Sequence, residues 1–319
     1  MDVFSVLTPG AYTTVQDFGR FGYQQVGIPV CGALDSFAFS MANMLVGNSV
    51  NSAALEITVM GPRLEVLGEA DIAITGAEMG MTINEKPVEC WRSFGVKSGD
   101  TIDIKQVKSG CRAYLSVTGG IDVPDVMGSR STYVGGNIGG YYGRLLKQGD
   151  IIKRGKGQRQ NQARQLSSVV IPKYSSNIVI HAVAGPQDDF FNESLKTLFK
   201  SEFMVSPKAD RMGYRLQGPV ITHRDNVPKS IISEPSVPGG VQIPADGQPI
   251  ILMVEQTVGG YAKIATVIST DLDKIAQATP GDTICFEQVT LEKAHALYHD
   301  RHKLMKEIEE KHIIAAYSR

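Results

Sequence analysis

The residues best suited to chemistry lie between Asp210 and Lys263. This stretch contains DRMGYRLQGP, then a polar gap, then SEPSVPGGVQIPADGQPIILMVEQTVGGYAKIA. Charged, aromatic and amide side chains alternate in it with glycine and proline, and short runs of β-forming residues separate them. Strands bounded by turns hold loops rigidly, and loops on a rigid scaffold commonly bind ligands. We therefore predict a functional site in this stretch.

The candidate site residues are polar side chains within a few residues of glycine or proline. An arginine binds a planar carboxylate through two parallel hydrogen bonds, and a lysine supplies a point charge or, where burial lowers its pKa, a general base. The candidate catalytic residues are Lys263, Asp210 and Arg211. The candidate substrate-binding residues are Asp17, Arg20, Arg130, Ser131, Tyr214, Glu234, Gln242, Gln256 and Tyr261.

A structural role is the alternative for each of these residues taken singly. Asp17 and Asp210 are expected to orient neighbouring arginines rather than to act as bases. Any of the other side chains could instead form a salt bridge or cap a turn. The glycine pairs 239–240 and 259–260 would allow a ligand to approach the backbone closely. In the alternative interpretation these glycines form β-bulges.

Composition and motifs argue against several classes of protein. The net charge is −1 and basic residues are not clustered, so a nucleic-acid partner is not expected. The chain contains no GxxxxGKS/T, GxSxG or HExxH motif, which argues against a phosphate-binding loop of that type, a serine-hydrolase elbow and a zinc-protease helix. His295, His299 and His302 would share one face of the last helix, but the many charged neighbours favour a solvated surface, and no metal site is predicted.

The expected location is the cytoplasm. The four cysteines occur without a CxxC pair, which argues against a disulfide framework or a structural zinc site and suits a reducing compartment. No apolar run is long enough for a signal peptide or a membrane span.

Periodicity predicts a mainly β protein with a few helices. Between residues 53 and 118 the chain is a series of short β-rich runs separated by turn residues, which predicts a closed or nearly closed antiparallel β structure. The helices that a parallel sheet needs between its strands are missing there. Helical spacing predicts one helix from Asp35 as N-cap to residue 46, one near 188–199, and a last one over 291–312.

An internal repeat predicts two related β domains. GDTIDIKQV at 99–107 and GDTICFEQV at 281–289 are identical at six of nine positions. Upstream of each, in the same order, LEITVMGP is echoed by GYRLQGP. The polar segment 156–166 is the clearest break in composition, and we predict a linker there. It would join an N-terminal domain, 1–155, to a C-terminal domain, 167–319, that ends in the last helix.

Several of these stretches also resemble one known family. The motifs are TTVQDFGRFGYQQVGIPVCGALD, ANMLVGN, ALEITVMGP, GSRSTYVGG, DRMGYRLQGP, SEPSVPGGVQIPADGQP and GGYAKIATV. Together they resemble the KipA family, also called the C subunit of 5-oxoprolinase, which is similar to subunit 2 of allophanate hydrolase and to biotin-dependent carboxyltransferases. The resemblance implies two tandem cyclophilin-like β-barrel domains, in agreement with the repeat. Before GGY the family has Asp-Arg-Gln-Thr-Thr, whereas this chain has VEQTV at 254–258 and lacks that arginine.

The resemblance implies one subunit of an ATP-dependent 5-oxoprolinase, which opens 5-oxo-L-proline to L-glutamate. Its implied partners are a KipI-like B subunit, with which it forms a heteromeric complex, together with an A subunit. The resemblance further implies ATP used by the assembled complex, no cofactor on this chain alone, and no activity alone. Arg20, Arg211 and Lys263 would then contribute to a pocket at the interface with the B subunit. One alternative is a regulatory KipA-type protein that counteracts a KipI-like kinase inhibitor. Another is a carboxyltransferase component that acts on urea or a related amide with a biotinylated partner.

Overall fold

A computed structural model describes residues 1–316, and within them the protein is mainly β, as predicted. The strands are β1 (Asp2–Thr8), β2 (Tyr12–Gln16), β3 (Ala54–Thr58), β4 (Arg63–Val66), β5 (Ala70–Ile83), β6 (Lys86–Val88), β7 (Arg92–Val96), β8 (Thr101–Val117), β9 (Ile151–Lys153), β10 (Arg164–Leu166), β11 (Asn177–Ala184), β12 (Glu202–Val205), β13 (Gly213–Gln217), β14 (Glu234–Pro235), β15 (Gly240–Ile243), β16 (Ile250–Leu252), β17 (Val258–Gly259), β18 (Ala262–Val267), β19 (Thr283–Gln288) and β20 (Ile313–Ala315). The helices are α1 (Ser36–Leu45), α2 (Glu193–Lys200), α3 (Leu272–Ala276) and α4 (Leu291–Glu307), which continues as a π-helical turn over Ile308–His312. The predicted first and last helices are confirmed, and the middle one begins later than expected.

The chain folds into two compact units. Within the described residues, unit 1 comprises Met1–Arg20, Cys31–Tyr174 and 305–316, and unit 2 comprises Phe21–Val30 and Ser175–Leu304. The predicted domains, 1–155 and 167–319, follow the order of the sequence. The structure differs because each unit also includes a segment from the other half of the chain, which composition does not indicate.

Unit 1 is built on an 11-stranded sheet. Its strands follow the order β20–β10–β7–β5–β8–β4–β1–β9. In addition, β3 pairs with β8, β2 pairs with β3, and β6 pairs with β5. The longest pairing joins β5 and β8 antiparallel, from Ile72 opposite Val117 to Ile83 opposite Ile102. Ile72 and Val117, which lie opposite each other in this pairing, are fully buried in the core. The predicted antiparallel runs are therefore present, but several of them merge into two long strands.

The segment predicted as a linker, 156–166, is part of unit 1. Its last residues form β10, which pairs with β7 and β20. The N–H of Gln160 donates to Asp71 at 2.6 Å, and the Arg159 guanidinium pairs with Asp71 and Glu69. The linker prediction is wrong because β10 and the contacts of Arg159 and Gln160 with Asp71 attach the segment to unit 1, although residues 156–159, 161 and 162 are exposed.

Unit 2 closes seven strands into a barrel. The order is β11–β18–β15–β16–β13–β12–β19, and a parallel pairing of β11 with β19 completes the ring. Closure leaves the ring without unpaired edge strands. Fully buried apolar side chains form its core, among them Ile180, Val241, Ile251, Ile264 and Ile284. A separate two-stranded ribbon, β14–β17, pairs Glu234 opposite Gly259.

The GDTI element of the internal repeat has the same local structure in both units. Gly99 and Gly281 have φ of 88° and 96°, a conformation that glycine adopts without strain. The N–H of each glycine donates at 2.9 Å to the last residue of an earlier strand, β4 in unit 1 and β12 in unit 2. Asp100 and Asp282 each accept a hydrogen bond from the N–H three residues earlier. The second echo is not equivalent, because LEITVMGP lies before β4 whereas GYRLQGP lies after β12.

A buried hydrogen-bond network fixes the start of α1. The Asp35 carboxylate accepts from the N–H of Ala38 at 2.8 Å, as predicted for an N-cap. The N–H of Asp35 donates to the Tyr114 hydroxyl, which donates to Glu56, both at 2.8 Å. Burial, and then the charges of Glu56 and Asp35, raise the pKa of Tyr114 well above its usual value. The network therefore attaches α1 to β3 and β8 through a tyrosine that stays neutral.

We predict that Tyr114→Phe lowers the free energy of unfolding by about 1–3 kcal/mol, because it removes a hydrogen-bond partner from Glu56 and from the N–H of Asp35. A raised pKa in the folded state stabilises the protein fully below the unfolded pKa, about 10, and this stabilisation is lost as the pH rises above it. Urea unfolding followed by circular dichroism between pH 7 and 11 should therefore show a steeper alkaline loss for the wild type than for Tyr114→Phe. The exposed Tyr142→Phe is the control and should behave as the wild type does. Equal alkaline slopes for wild type and Tyr114→Phe would contradict the assignment.

Candidate functional site

Asp17, in unit 1, binds a turn rather than an arginine. Its Oδ1 accepts from the hydroxyls of Ser129 and Ser131 at 2.6 and 2.5 Å, and its Oδ2 accepts from the N–H of Arg130 at 2.6 Å. No arginine lies within ion-pair distance of it among residues 1–316. The expectation that Asp17 orients an arginine directly is wrong, because nearby hydroxyls and N–H groups already satisfy this buried carboxylate. It acts on Arg20 through Ser131, which contacts both.

Arg20 is the buried cation of unit 1 that lacks a carboxylate. Its side chain is 1% exposed. Nη2 donates to the carbonyl of Ser131 at 2.6 Å and Nε to that of Val126 at 3.4 Å, while Nη1 is buried without a partner in the described part of the chain. Buried arginines normally pair with an anion, because an uncompensated buried charge is costly. Arg20 therefore retains the capacity to bind one.

Arg130 and Ser131 have structural partners. The Arg130 guanidinium is partly exposed and lies 3.9 Å from the Asp122 carboxylate and 3.5 Å from the Ile121 carbonyl. The Ser131 hydroxyl donates to Asp17. Both residues therefore match the alternative interpretation, in which they shape a turn.

In unit 2, Glu255 takes the role expected of Asp210. The Asp210 carboxylate caps the turn before β13 by accepting from the N–H groups of Met212 and Gly213 at 2.8 and 3.1 Å. Arg211 instead pairs with Glu255, with Nε and Oε1 2.5 Å apart and both side chains buried. The prediction that Asp210 orients Arg211 is wrong, because its short side chain bonds the adjacent backbone. Glu255 lies in the VEQTV segment at 254–258.

Lys263 and Glu234 are brought together as a pair. Lys263, on β18, is 4% exposed, and its Nζ forms an ion pair with the carboxylate of Glu234 on β14. The Glu234 side chain is 40% exposed, so the pair connects the interior of unit 2 with its surface. Gln187 accepts from the N–H of Lys263 at 3.0 Å and fixes the strand at this point.

Gln242 lies beside this pair. It is directly opposite Lys263 in the pairing of β15 with β18, and it is 3% exposed. Its Nε2 is buried and has no hydrogen-bond partner in the described part of the chain. A Cβ at Gly259 would lie 2.2 Å from this nitrogen. Gly259 therefore makes room for the Gln242 amide, which is a different role from the close ligand approach that was predicted.

The remaining three candidates lie outside this group. Tyr214 is buried in the core, with its hydroxyl 3.5 Å from the carbonyls of Ala276 and Ala278. The Gln256 side chain donates to the carbonyl of Val258 at 2.5 Å and caps a turn. Tyr261 is 43% exposed. None of the three contacts Lys263 or Glu234 through a hydrogen bond within residues 1–316.

Sequence reasoning missed Ser236. This residue is 1% exposed, and its hydroxyl is buried without a partner in the described residues. Its N–H donates to Thr257 at 2.9 Å, and its carbonyl accepts from Gln24 at 3.1 Å. The signal was available, because Ser236 lies beside proline in SEPS, two residues after Glu234. The part played by Gln24 was not available, since its segment joins unit 2 from a distant part of the sequence.

The described residues contain no group of three or more His, Cys, Asp or Glu side chains placed to hold a metal ion. Two of the three helical histidines, His299 and His302, instead contact the ring of Tyr298. A search of the same residues for a helix with the length and apolar character of a membrane span finds none.

We predict that Arg211→Met and Glu255→Met each cost about 3–5 kcal/mol of unfolding free energy, because each removes the ion pair that compensates the buried charge of the other residue. The double variant should cost less than either single one, since it removes both charges. Urea unfolding at neutral pH measures these differences. Arg215→Met, an exposed arginine on β13 four positions after Arg211, is the matched control and should change stability by less than about 0.5 kcal/mol. Additive losses in the double variant would show that the two side chains do not depend on each other.

Comparison with known proteins agrees with this architecture. A family described as the carboxyltransferase domain, subdomain A and B, matches residues 26–288. The chain is 38% identical over 308 residues to the C subunit of 5-oxoprolinase from Escherichia coli (strain K12), a match that covers 96% of this chain and 97% of that protein. It is 34% identical over 332 residues to urea amidolyase of Lachancea kluyveri, covering 96% of this chain but 18% of that protein.

A solved structure shows the same fold. The crystal structure of the K. lactis urea amidolyase matches with a TM-score of 0.90 and 33% identity, over 99% of this chain and 21% of that one. The fold, the order of motifs and the extent of these matches lead to one conclusion. The chain belongs to the carboxyltransferase-domain family that includes the C subunit of 5-oxoprolinase, which is the KipA family that its motifs predicted.

Proposed function

We propose that the protein is the C subunit of an ATP-dependent 5-oxoprolinase, which acts with an A subunit, together with a KipI-like B subunit, to convert 5-oxo-L-proline to L-glutamate. The observation that carries the proposal is the match to the C subunit of E. coli 5-oxoprolinase, which extends over 97% of that protein. By contrast, the chain spans 18% of the urea amidolyase of Lachancea kluyveri. The match to the C subunit therefore extends over nearly all of that protein, which supports the subunit role.

The reaction requires activation of an amide. Delocalisation of the nitrogen lone pair makes the lactam carbonyl a poor electrophile, so ATP would phosphorylate the lactam oxygen before water attacks. Ring opening adds one water across the C–N bond, and the nitrogen takes up the proton, while release of phosphate consumes a second water. Hydrogen-bond donors and cations placed at the oxygen stabilise the charge that develops there.

Within this proposal, the Lys263–Glu234 pair and Gln242 are the residues of this chain that handle the lactam. Lys263 supplies the positive charge, and Glu234 holds its ammonium group in place. Arg211 receives a structural role, because Glu255 already neutralises it. Arg20 is retained as a proposed contact for an anionic group, since its Nη1 has no partner in the described residues.

ATP and the partner subunits complete the proposal. The sequence has no phosphate-binding loop of the GxxxxGKS/T type, so ATP is assigned to the assembled complex and no cofactor to this chain alone. We place the complex in the cytoplasm, as its cysteine usage suggests.

A carboxyltransferase component is the second candidate. It is favoured by the carboxyltransferase-domain match and by the close structural agreement with the K. lactis urea amidolyase. In that role the same lysine, glutamate and glutamine would bind urea or a related amide, and biotin on a partner would carry the carboxyl group.

We predict that Lys263→Met lowers 5-oxoproline-dependent ATP hydrolysis by the three-subunit mixture about 100-fold or more, because removing a charge-stabilising donor typically costs this much in kcat. Lys263→Arg, which keeps the charge, should retain more activity. Lys200→Met, an exposed lysine at the end of α2, is the matched control and should leave the rate within about twofold.

The same assay, together with a carboxylation assay and a binding measurement, separates the three candidate functions. If Lys263→Met hydrolyses ATP at the wild-type rate, the lysine has no part in the mechanism. Absence of 5-oxoproline-dependent hydrolysis, together with biotin-dependent carboxylation of an amide, would favour the carboxyltransferase. Absence of both activities, with tight binding of a KipI-like protein, would favour the regulatory alternative.

A further inference from the structure

Three buried side-chain nitrogen and oxygen atoms of unit 2 have no hydrogen-bond partner among the described residues. One is Nε2 of His223, and the other two adjoin the β14–β17 ribbon. These two are Nε2 of Gln242 and Oγ of Ser236, in side chains that are 3% and 1% exposed. A buried donor or acceptor without a partner destabilises a protein, and such groups are few in native structures. Two of them in one cluster therefore indicate that something outside the chain completes their hydrogen bonds.

The strand register places both atoms on one face of the β14–β17 ribbon. Glu234 lies opposite Gly259, and residues directly opposite each other in an antiparallel pair have their side chains on the same face. The Gln242 amide occupies the space where a Gly259 side chain would be, so it lies on the face that carries the Glu234 side chain. Ser236 follows Glu234 by two residues and continues the ladder through its N–H to Thr257, which puts its hydroxyl on that face as well.

The charges on this face already neutralise each other. Glu234 and Lys263 form an ion pair, and no other charged side chain is bonded to either in the described residues. An anionic or cationic group would therefore compete with an existing pair. A neutral polar group would not, and it needs only the donor and the acceptor that Gln242 and Ser236 leave open.

A secondary amide in a ring has the matching pattern. Its carbonyl oxygen accepts one hydrogen bond and its N–H donates one from the same edge. The Gln242 Nε2 is a donor, and the Ser236 hydroxyl can accept. We propose that Gln242 and Ser236 bind the lactam edge of the substrate, Nε2 to the carbonyl oxygen and Oγ to the N–H, next to Lys263. This rests on the proposed function and adds Ser236 as the residue that distinguishes a lactam from a ring without N–H.

The test compares 5-oxo-L-proline with its lactone counterpart, which has oxygen in place of the ring N–H. Both keep the carbonyl and the carboxylate. Binding to the reconstituted complex is measured by calorimetry in the absence of ATP. The wild type should bind the lactam roughly 5- to 100-fold more tightly than the lactone, the range expected when a buried acceptor loses its donor. Ser236→Ala should remove most of this preference. Gln242→Met should weaken both ligands to a similar extent, because both retain the carbonyl.

Stability measurements separate ligand binding from a structural role. The two atoms have no hydrogen-bond partner among residues 1–316, so Ser236→Ala and Gln242→Met should leave the urea midpoint of the full chain unchanged or higher. Ser206→Ala, a buried serine of the same unit whose hydroxyl accepts from the N–H of Lys208, is the matched control and should lower that midpoint. A lower midpoint in Ser236→Ala or Gln242→Met would indicate that these groups serve the fold.

Failure of this inference is distinguishable from failure of the proposed function. If lactam and lactone bind the wild type equally, or if neither variant changes lactam affinity, the inference is overturned even when the complex hydrolyses ATP with 5-oxoproline. If the complex shows no such hydrolysis but lactam binding still depends on both residues, the amide subsite stands and the 5-oxoprolinase proposal falls. Absence of lactam binding by the wild-type complex contradicts the inference directly.

Discussion

The structure depends on the requirement that a charged or polar group removed from water must find a partner. Most such groups in this chain find one within their own unit. Asp17 is satisfied by hydroxyl and N–H donors, Glu56 by Tyr114, and Arg211 by Glu255. These pairs hold turns and helices on the β framework. The groups that lack a partner are therefore informative, because they mark positions where the fold leaves hydrogen-bonding capacity unused.

Strand pairing in unit 2 fixes the positions of Gln242, Lys263 and Glu234. The pairing of β15 with β18 puts Gln242 opposite Lys263, and the β14–β17 ribbon puts Glu234 opposite Gly259. Strand register fixes the face on which each of these side chains lies, so a shift of one residue would turn it to the other face. The register changes once, at a bulge between Val241 and Gln242, and bulges commonly re-aim a side chain next to functional sites.

The ion pair of Arg211 with Glu255 neutralises a buried charge of unit 2. A second ion pair of unit 2, Lys263 with Glu234, also neutralises its own charges. A neutral amide is compatible with that balance. Arg20, in unit 1, is a separate case, because its Nη1 has no hydrogen-bond partner among residues 1–316 and suits an anion.

The sequence by itself determined the features that depend on local order. Alternating β-rich runs predicted a mainly β protein, Asp35 predicted the start of α1, the repeated GDTI segment predicted a turn that recurs in both units, and the motifs predicted the family. It could not predict that each unit includes a segment from the other half of the chain, that 156–166 belongs to unit 1, or which groups Asp210 and Arg211 bind. Tertiary structure decided these because they depend on contacts between distant residues: Arg211 and Glu255 are 44 positions apart, and Lys263 and Glu234 are 29 apart. Composition indicates which residues can form such pairs, but only the folded backbone brings particular ones within hydrogen-bond distance.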